Sequence, residues 1–256
     1  LGAESWIHNI LRDDGIDSQT DHLGELWASD LPGLPVDNDS VQGAVNGKIE
    51  DLNGRFNINN LLDANGRVNP DTLAQFERLL QALDIDIKFA GLAADWIDAD
   101  QDAGLPNGAE DSIYTGLIPP YQTFNKPLTN VTELFALEGM DKLSFDRLLP
   151  HVTALPGRTS INVNTATPTV LQSLSMNMDE STVESLLFLR EESGFTDIAS
   201  TFGTLVDNAV IFGLLTESSE YFQLKAVVQI DTVRVTYFSV LLRTPNGGPV
   251  TTILRS

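Results

Sequence analysis

Apolar residues recur at helical spacing through most of the chain and give way to strand-like runs only near its end. Leu1, Trp6, Ile7, Ile10 and Leu11 lie near one stripe of residues 1–12, so an amphipathic helix is expected to open the chain and stop at Asp13-Asp14-Gly15. Residues 17–45 are rich in Asp, Gly, Pro and Ser and read as a long loop with at most one helical turn, anchored by Leu26 and Trp27. Residues 48–52 have the punctuation of a short strand closed by Asn53-Gly54. Asn57, Asn59 and Asn60 follow, a spacing suited to side-chain bonds with turning backbone. Asn69-Pro70-Asp71 then caps a helix over 72–83 that buries Leu73, Phe76, Leu79, Leu80 and Leu83, and a second helix over 87–97 runs into an acidic loop.

The middle of the chain continues as short helices. Asn130 caps one that ends at Leu137, a second covers 143–149, residues 158–166 are extended, and further helices cover 168–174, 179–191 and 197–202. After Gly213 the pattern changes. Residues 221–230, 233–243 and 249–254 are rich in Val, Thr, Tyr, Phe, Leu and Ile and are separated by turn residues, so they read as three antiparallel strands. This order predicts an α+β chain in which a helical domain, residues 57–213, is inserted between the two parts of a host domain, residues 1–56 and 214–256. The early strand would then join the C-terminal sheet.

Charge narrows the function. The 256 residues carry a formal net charge of -21, which opposes any surface that binds phosphate through lysine and arginine, so nucleic acid is not an expected partner. There is no cysteine, hence no disulfide or thiolate metal site. No apolar run approaches the length of a membrane span. The chain opens at Leu1 rather than methionine, from which we expect a preceding segment such as a membrane anchor. Nucleophile-elbow, HExxH, P-loop and dinucleotide motifs are absent, so an enzyme is not expected.

The densest candidate chemistry is the acidic loop after residue 97. Asp98, Asp100 and Asp102 recur at every second residue, and Glu110 and Asp111 return from the far side, which suits a hard cation such as calcium with its six to eight oxygen ligands. The spacing departs from an EF-hand. With Asp98 as position 1, Ala103 stands where the turn glycine belongs and Ala109 where the bidentate glutamate belongs, so the expectation is an irregular calcium loop, with a solvated acidic turn as the alternative.

Four segments, GKIEDLNGRFNINNLL, LAADWIDADQDAGLPNGAEDSIY, LTNVTEL and SINVNTATPTVLQSL, resemble the K-type minor pseudopilins of type II secretion systems, in that family's order and over nearly the whole chain. The opening LGAESWI resembles the residues that follow the family's membrane helix. The resemblance implies a pseudopilin fold, an N-terminal helix on a small antiparallel sheet, carrying a large helical insertion. It also implies a periplasmic location below an inner-membrane anchor, and a place at the tip of the pseudopilus with minor pseudopilins I and J, with H and secreted cargo as further contacts. It carries a calcium role onto Asp98, Asp100, Asp102, Glu110 and Asp111. In that assembly Leu1, Trp6, Ile7 and Ile10 are expected to form the exposed seam that meets partner helices.

A competing resemblance lies in residues 161–202, which are similar to the helix-hairpin-helix repeat of DNA-uptake proteins. That motif holds phosphate in a glycine-rich hairpin, whereas this hairpin reads Ser175-Met176-Asn177-Met178-Asp179 and has no glycine. A scaffold reused for protein contacts is the expectation.

Overall fold

The computed structural model describes residues 2–38, 41–104, 106–230 and 232–255. The first part holds α1 (Gly2–Asp17), β1 (Leu31–Asn38), β2 (Val41–Asp51) and β3 (Phe56–Asn57). The middle holds α2 (Pro70–Ala82), α3 (Lys88–Ile97), α4 (Asp111–Tyr114), α5 (Lys142–Leu148), β4 (Val152–Thr153), β5 (Ile161–Asn162), α6 (Pro168–Ser173), α7 (Glu180–Ser193), α8 (Ile198–Phe202) and α9 (Ala209–Phe212). The chain closes with β6 (Leu215–Thr216), β7 (Tyr221–Ile230), β8 (Val233–Arg243) and β9 (Val250–Arg255).

Five strands form one antiparallel sheet in the order β1-β2-β7-β8-β9. The early strand therefore joins the C-terminal meander, as its pattern implied. It is longer than expected, and the loop read over 17–45 contains β1. Pro32 and Pro35 argue against a strand, but β1 sits at the sheet edge and pairs only with β2, where a missing amide proton disturbs no second ladder. Leu26 is no anchor. It is 71% exposed, while Trp27 beside it in the same 3₁₀ turn is buried, donates Nε1–H to Glu25 Oε2 at 2.7 Å and meets Phe222 edge-on.

Strand periodicity gives the sheet two unlike faces. Ile49, Phe222, Leu224, Ala226 and Leu241 share the face that α1 covers, and Ile7 and Leu11 complete that small core. This removes Ile7 from the exposed seam expected on α1. Ile7 is 2% exposed beneath its own sheet, Trp6 and Ile10 are half-buried against the same cluster, and Leu1 lies outside the described residues. A helix stripe says which face is apolar but not what covers it. Ile7→Glu should therefore lower stability by more than about 3 kcal/mol, because it buries an unpaired charge. Urea unfolding followed by circular dichroism would show it, and an unchanged midpoint would contradict this packing.

A second, larger core fills the helical body. Asn69 caps α2 through bonds from the Asp71 and Thr72 amides, Pro70 follows at the first turn, and Phe76 stacks on Phe56 at 5.1 Å. The three asparagines reach much farther than a local turn. Asn59 exchanges both bonds of a strand pair with Leu128, Asn60 does the same with Thr159, and Asn57 accepts from the Leu155 amide and donates to the Gly157 carbonyl at 2.9 Å. Each primary amide thus stands in for a peptide group and ties irregular backbone to distant chain.

Buried polar groups join the two cores. Arg243, at the end of β8, bonds Asp21 Oδ1 at 2.6 Å and Asp14 Oδ2 at 2.7 Å, donates to the Ser219 carbonyl and lies 4.9 Å from the Phe222 ring centroid. The Ser219 amide donates to Asp21, and the Ser219 hydroxyl donates to Asp51 Oδ2 at 2.6 Å. Thr165 and Asn162, both from the helical body, donate to the same Asp51 oxygen. Burial pushes the Asp51 carboxyl up to about 6, although the Ser219, Thr165 and Asn53 donors pull it down. Burial works against the Arg243 guanidinium too, but its bonds to Asp21 and Asp14 outweigh that and hold its pKa above the ordinary value.

Candidate metal centre

Helix α3 is rich in Phe, Leu, Trp, Ile and Ala and is buried on nearly every side, so Asp95 in its last turn and Asp98 at its C-cap are held inside the protein. These two lie three residues apart, and the helix end brings their carboxylates to one side. Glu110, just ahead of α4, approaches from the other side. One carboxylate oxygen from each of Asp95, Asp98 and Glu110 lies within 4.8 Å of the others, and all three residues are buried.

Gly104 and Gly108 let the loop close on this cluster. A Cβ on Gly108 would strike the Asp95 carboxylate and the Gly104 backbone, and the Gly104 amide donates to Asp95 Oδ2 at 2.9 Å. Asp98 Oδ1 and Glu110 Oε1 are buried and have no hydrogen-bond partner among the described residues. Burial first, then the neighbouring Asp100 and Asp95 carboxylates, pushes Asp98 up to about 6. Burial, with Asp95 and Asp98 close by, pushes Glu110 up to about 7, and Asp95 is raised by burial as well. Three inward carboxylates with two orphaned oxygens form a donor set for a hard divalent cation, since such an ion replaces both the missing hydrogen bonds and the missing positive charge.

The expected residues are sorted unevenly. Asp98 and Glu110 meet in the cluster. Asp100 and Asp102 line the adjoining cavity of about 440 Å³, where Asp100 Oδ1 accepts from the Asp102 amide at 2.9 Å. Asp111 is engaged elsewhere. Its Oδ1 accepts from the Thr123 amide and hydroxyl, each at 2.8 Å, and its Oδ2 accepts from the Gln122 side chain, so it ties down the following loop. Asp95 was not among the expected residues. The signal was available in the Asp-Trp-Ile-Asp spacing, which puts both carboxylates on one side of a helix rather than in the loop.

The segment of residues 161–202 that resembles the helix-hairpin-helix repeat forms β5, α6, α7 and α8. At the start of α7 the Asp179 carboxylate caps the helix by accepting from the Thr182 amide, so a negative charge occupies the position a phosphate would need.

Residues 54–157 and 161–205 match the family described as Type II secretion system (T2SS), protein K. Over 96% of the chain and 74% of the relative, the sequence is 34% identical to type II secretion system protein K of Pseudomonas aeruginosa. The chain belongs to the type II secretion system protein K family. The protein K of Pectobacterium carotovorum subsp. carotovorum is also 34% identical, over 90% of this chain and 74% of its own length. The fold agrees with the crystal structure of the GspK-GspI-GspJ complex from the type 2 secretion system of enterotoxigenic Escherichia coli, with a TM-score of 0.86 and 25% identity over all of this chain and 92% of the matching one. As a protein K, the chain is a minor pseudopilin with the α+β pseudopilin fold, and its family is a structural part of the secretion machine. Among the described residues, no helix is long and apolar enough to cross a membrane.

Proposed function

We propose that this chain works in the periplasm at the tip of the pseudopilus, assembled with minor pseudopilins I and J, and that its helical body blocks the addition of a further subunit above it. The observation that carries this reading is the match, over the whole chain, to the GspK-GspI-GspJ complex. The packing of α1 on the sheet is consistent with it, because Ile7 and Leu11 fix the helix and leave Trp6 and Ile10 only partly buried.

Light scattering on a size-exclusion column tests the assembly. Mixed with the periplasmic domains of minor pseudopilins I and J, the chain should elute as a stoichiometric ternary species, and separate elution of all three would sink the proposal. Trp6→Ala should weaken that complex about tenfold or more, since partly exposed tryptophans often dominate interfaces, and should leave the far-ultraviolet spectrum unchanged.

The same reading includes a calcium ion held by Asp95, Asp98 and Glu110, with Asp100 and Asp102 at the mouth. The two orphaned carboxylate oxygens support it most directly. A bound cation would tie the end of α3 to the start of α4 and fix the loop between them. That role is structural and requires no chemical step.

A further inference from the structure

The sheet face turned away from α1 is not bare. Glu50, Gln223, Val240 and Leu254 stand opposite one another across four strands, and Lys48, Lys225 and Phe238 form the next row. Where this face meets the helical body lies a groove of about 570 Å³. Its apolar lining comes from Val131, Val152 and Leu155 on one side and Phe238, Val240 and Leu254 on the other. Leu254 is 45% exposed.

The charges around the groove run against those of the whole chain. Arg55 lines it and pairs with Glu50 at 2.7 Å, while Lys48 pairs with the other Glu50 oxygen at 3.3 Å. Glu133 also lies nearby, with its Oε1 accepting from the Thr129 and Asn130 amides and the Thr129 hydroxyl. Lys225 has no carboxylate in ion-pair range among the described residues and instead lies 5.9 Å from the Phe238 ring centroid. Lys48 and Lys225 are cross-strand partners. Like charges placed directly opposite destabilise a sheet; Glu50 offsets Lys48 but not Lys225, so an incoming anion gains mainly from Lys225 with Lys48 beside it. In a chain of net charge -21, a surface where Lys48, Arg55 and Lys225 outnumber Glu50 and Glu133 is a local reversal of sign.

We propose that this groove binds an extended, acidic segment of a second protein, with a large apolar side chain on Val240 and Leu254 and a carboxylate in the next row at Lys225 and Lys48. Adjacent rows on one sheet face are two residues apart along the strand, about 7 Å. An extended ligand shows the same two-residue period, so the carboxylate stands two positions from the apolar anchor. The groove lies on the opposite face from α1, and the inference is independent of assembly with minor pseudopilins I and J.

The test uses the whole chain and two fluorescein-labelled probes, acetyl-Thr-Phe-Thr-Asp-Thr and its twin with lysine in place of aspartate, read by fluorescence anisotropy. The acidic probe should bind saturably and more weakly at higher salt, and the lysine twin should not saturate. Lys225→Glu should weaken the acidic probe about fivefold, in keeping with an exposed charge pair. Leu254→Ser, at an exposed edge position, should weaken it as well. Equal binding of the two probes, absence of saturable binding by the acidic one, or affinity unchanged in both variants would overturn the proposal.

Discussion

Arg243→Ala is expected to lower the stability of the sheet domain by about 3–5 kcal/mol, the range for breaking a buried ion pair and stranding its partner. The reason lies in what remains. Asp21 is 2% exposed and would keep a buried carboxylate whose guanidinium is gone, and Asp14 beside it would lose its partner as well. The Ser219 carbonyl would lose a donor, and the Phe222 ring its cation. Trp27 packs on that ring, so its emission should report the loss at lower urea, while Trp96 in the helical body reports the other core. Arg243→Lys keeps the charge but not the fork and should fall between the two. If Arg243→Ala shifted neither midpoint, the network would be a passenger of the fold rather than a support.

Removing calcium should lower the melting temperature by roughly 5–10 °C. Ligand at about 100 times its dissociation constant adds about 2.7 kcal/mol, and for a chain of this size each kcal/mol moves the midpoint by about 2–4 °C. Asp98→Asn combined with Glu110→Gln should abolish the difference between calcium and chelator. The sign of its second effect is diagnostic. Both carboxyls are raised above their ordinary values, so the metal-free fold holds their protons more tightly than the unfolded chain does. Its stability therefore falls as pH rises from the ordinary carboxylate range to about 7. The amide pair removes that loss, and at pH 7.5 the chelated double variant should melt above the chelated parent. A parent that ignores both calcium and chelator would remove the ion from the proposal.

Legibility followed how local the cause was. The strands at 221–230 and 233–243 and the helix after Asn69-Pro70 were readable because their apolar periods and caps lie within a few residues of one another. β1 was hidden because its prolines obey an edge rule that only the sheet order reveals. Asp95 was hidden because it was counted with the helix rather than the loop, though three residues of helix bring it to Asp98. The junction was beyond reach altogether. Asp51, Asn162, Thr165 and Ser219 are ordinary polar residues in sequence and become one network only after chain more than a hundred residues apart has met.

β2 and β7 are neighbours in the sheet, with Asp51 facing Phe222, so everything from residue 52 to 221 is a single hairpin connection. Such a long closure carries a large entropic barrier if it must form from an open chain. The meander of β7, β8 and β9 needs only short turns, and the helical body holds its own core, so both can form early. The body then delivers β2 to β7 through Asn162, whose amide donates to the Asn53 carbonyl just after β2 while β5 pairs with β6 just before β7. Ladder closure between β2 and β7 is accordingly expected to be the last event in refolding, and a lesion deep in the helical body should delay the sheet without touching it.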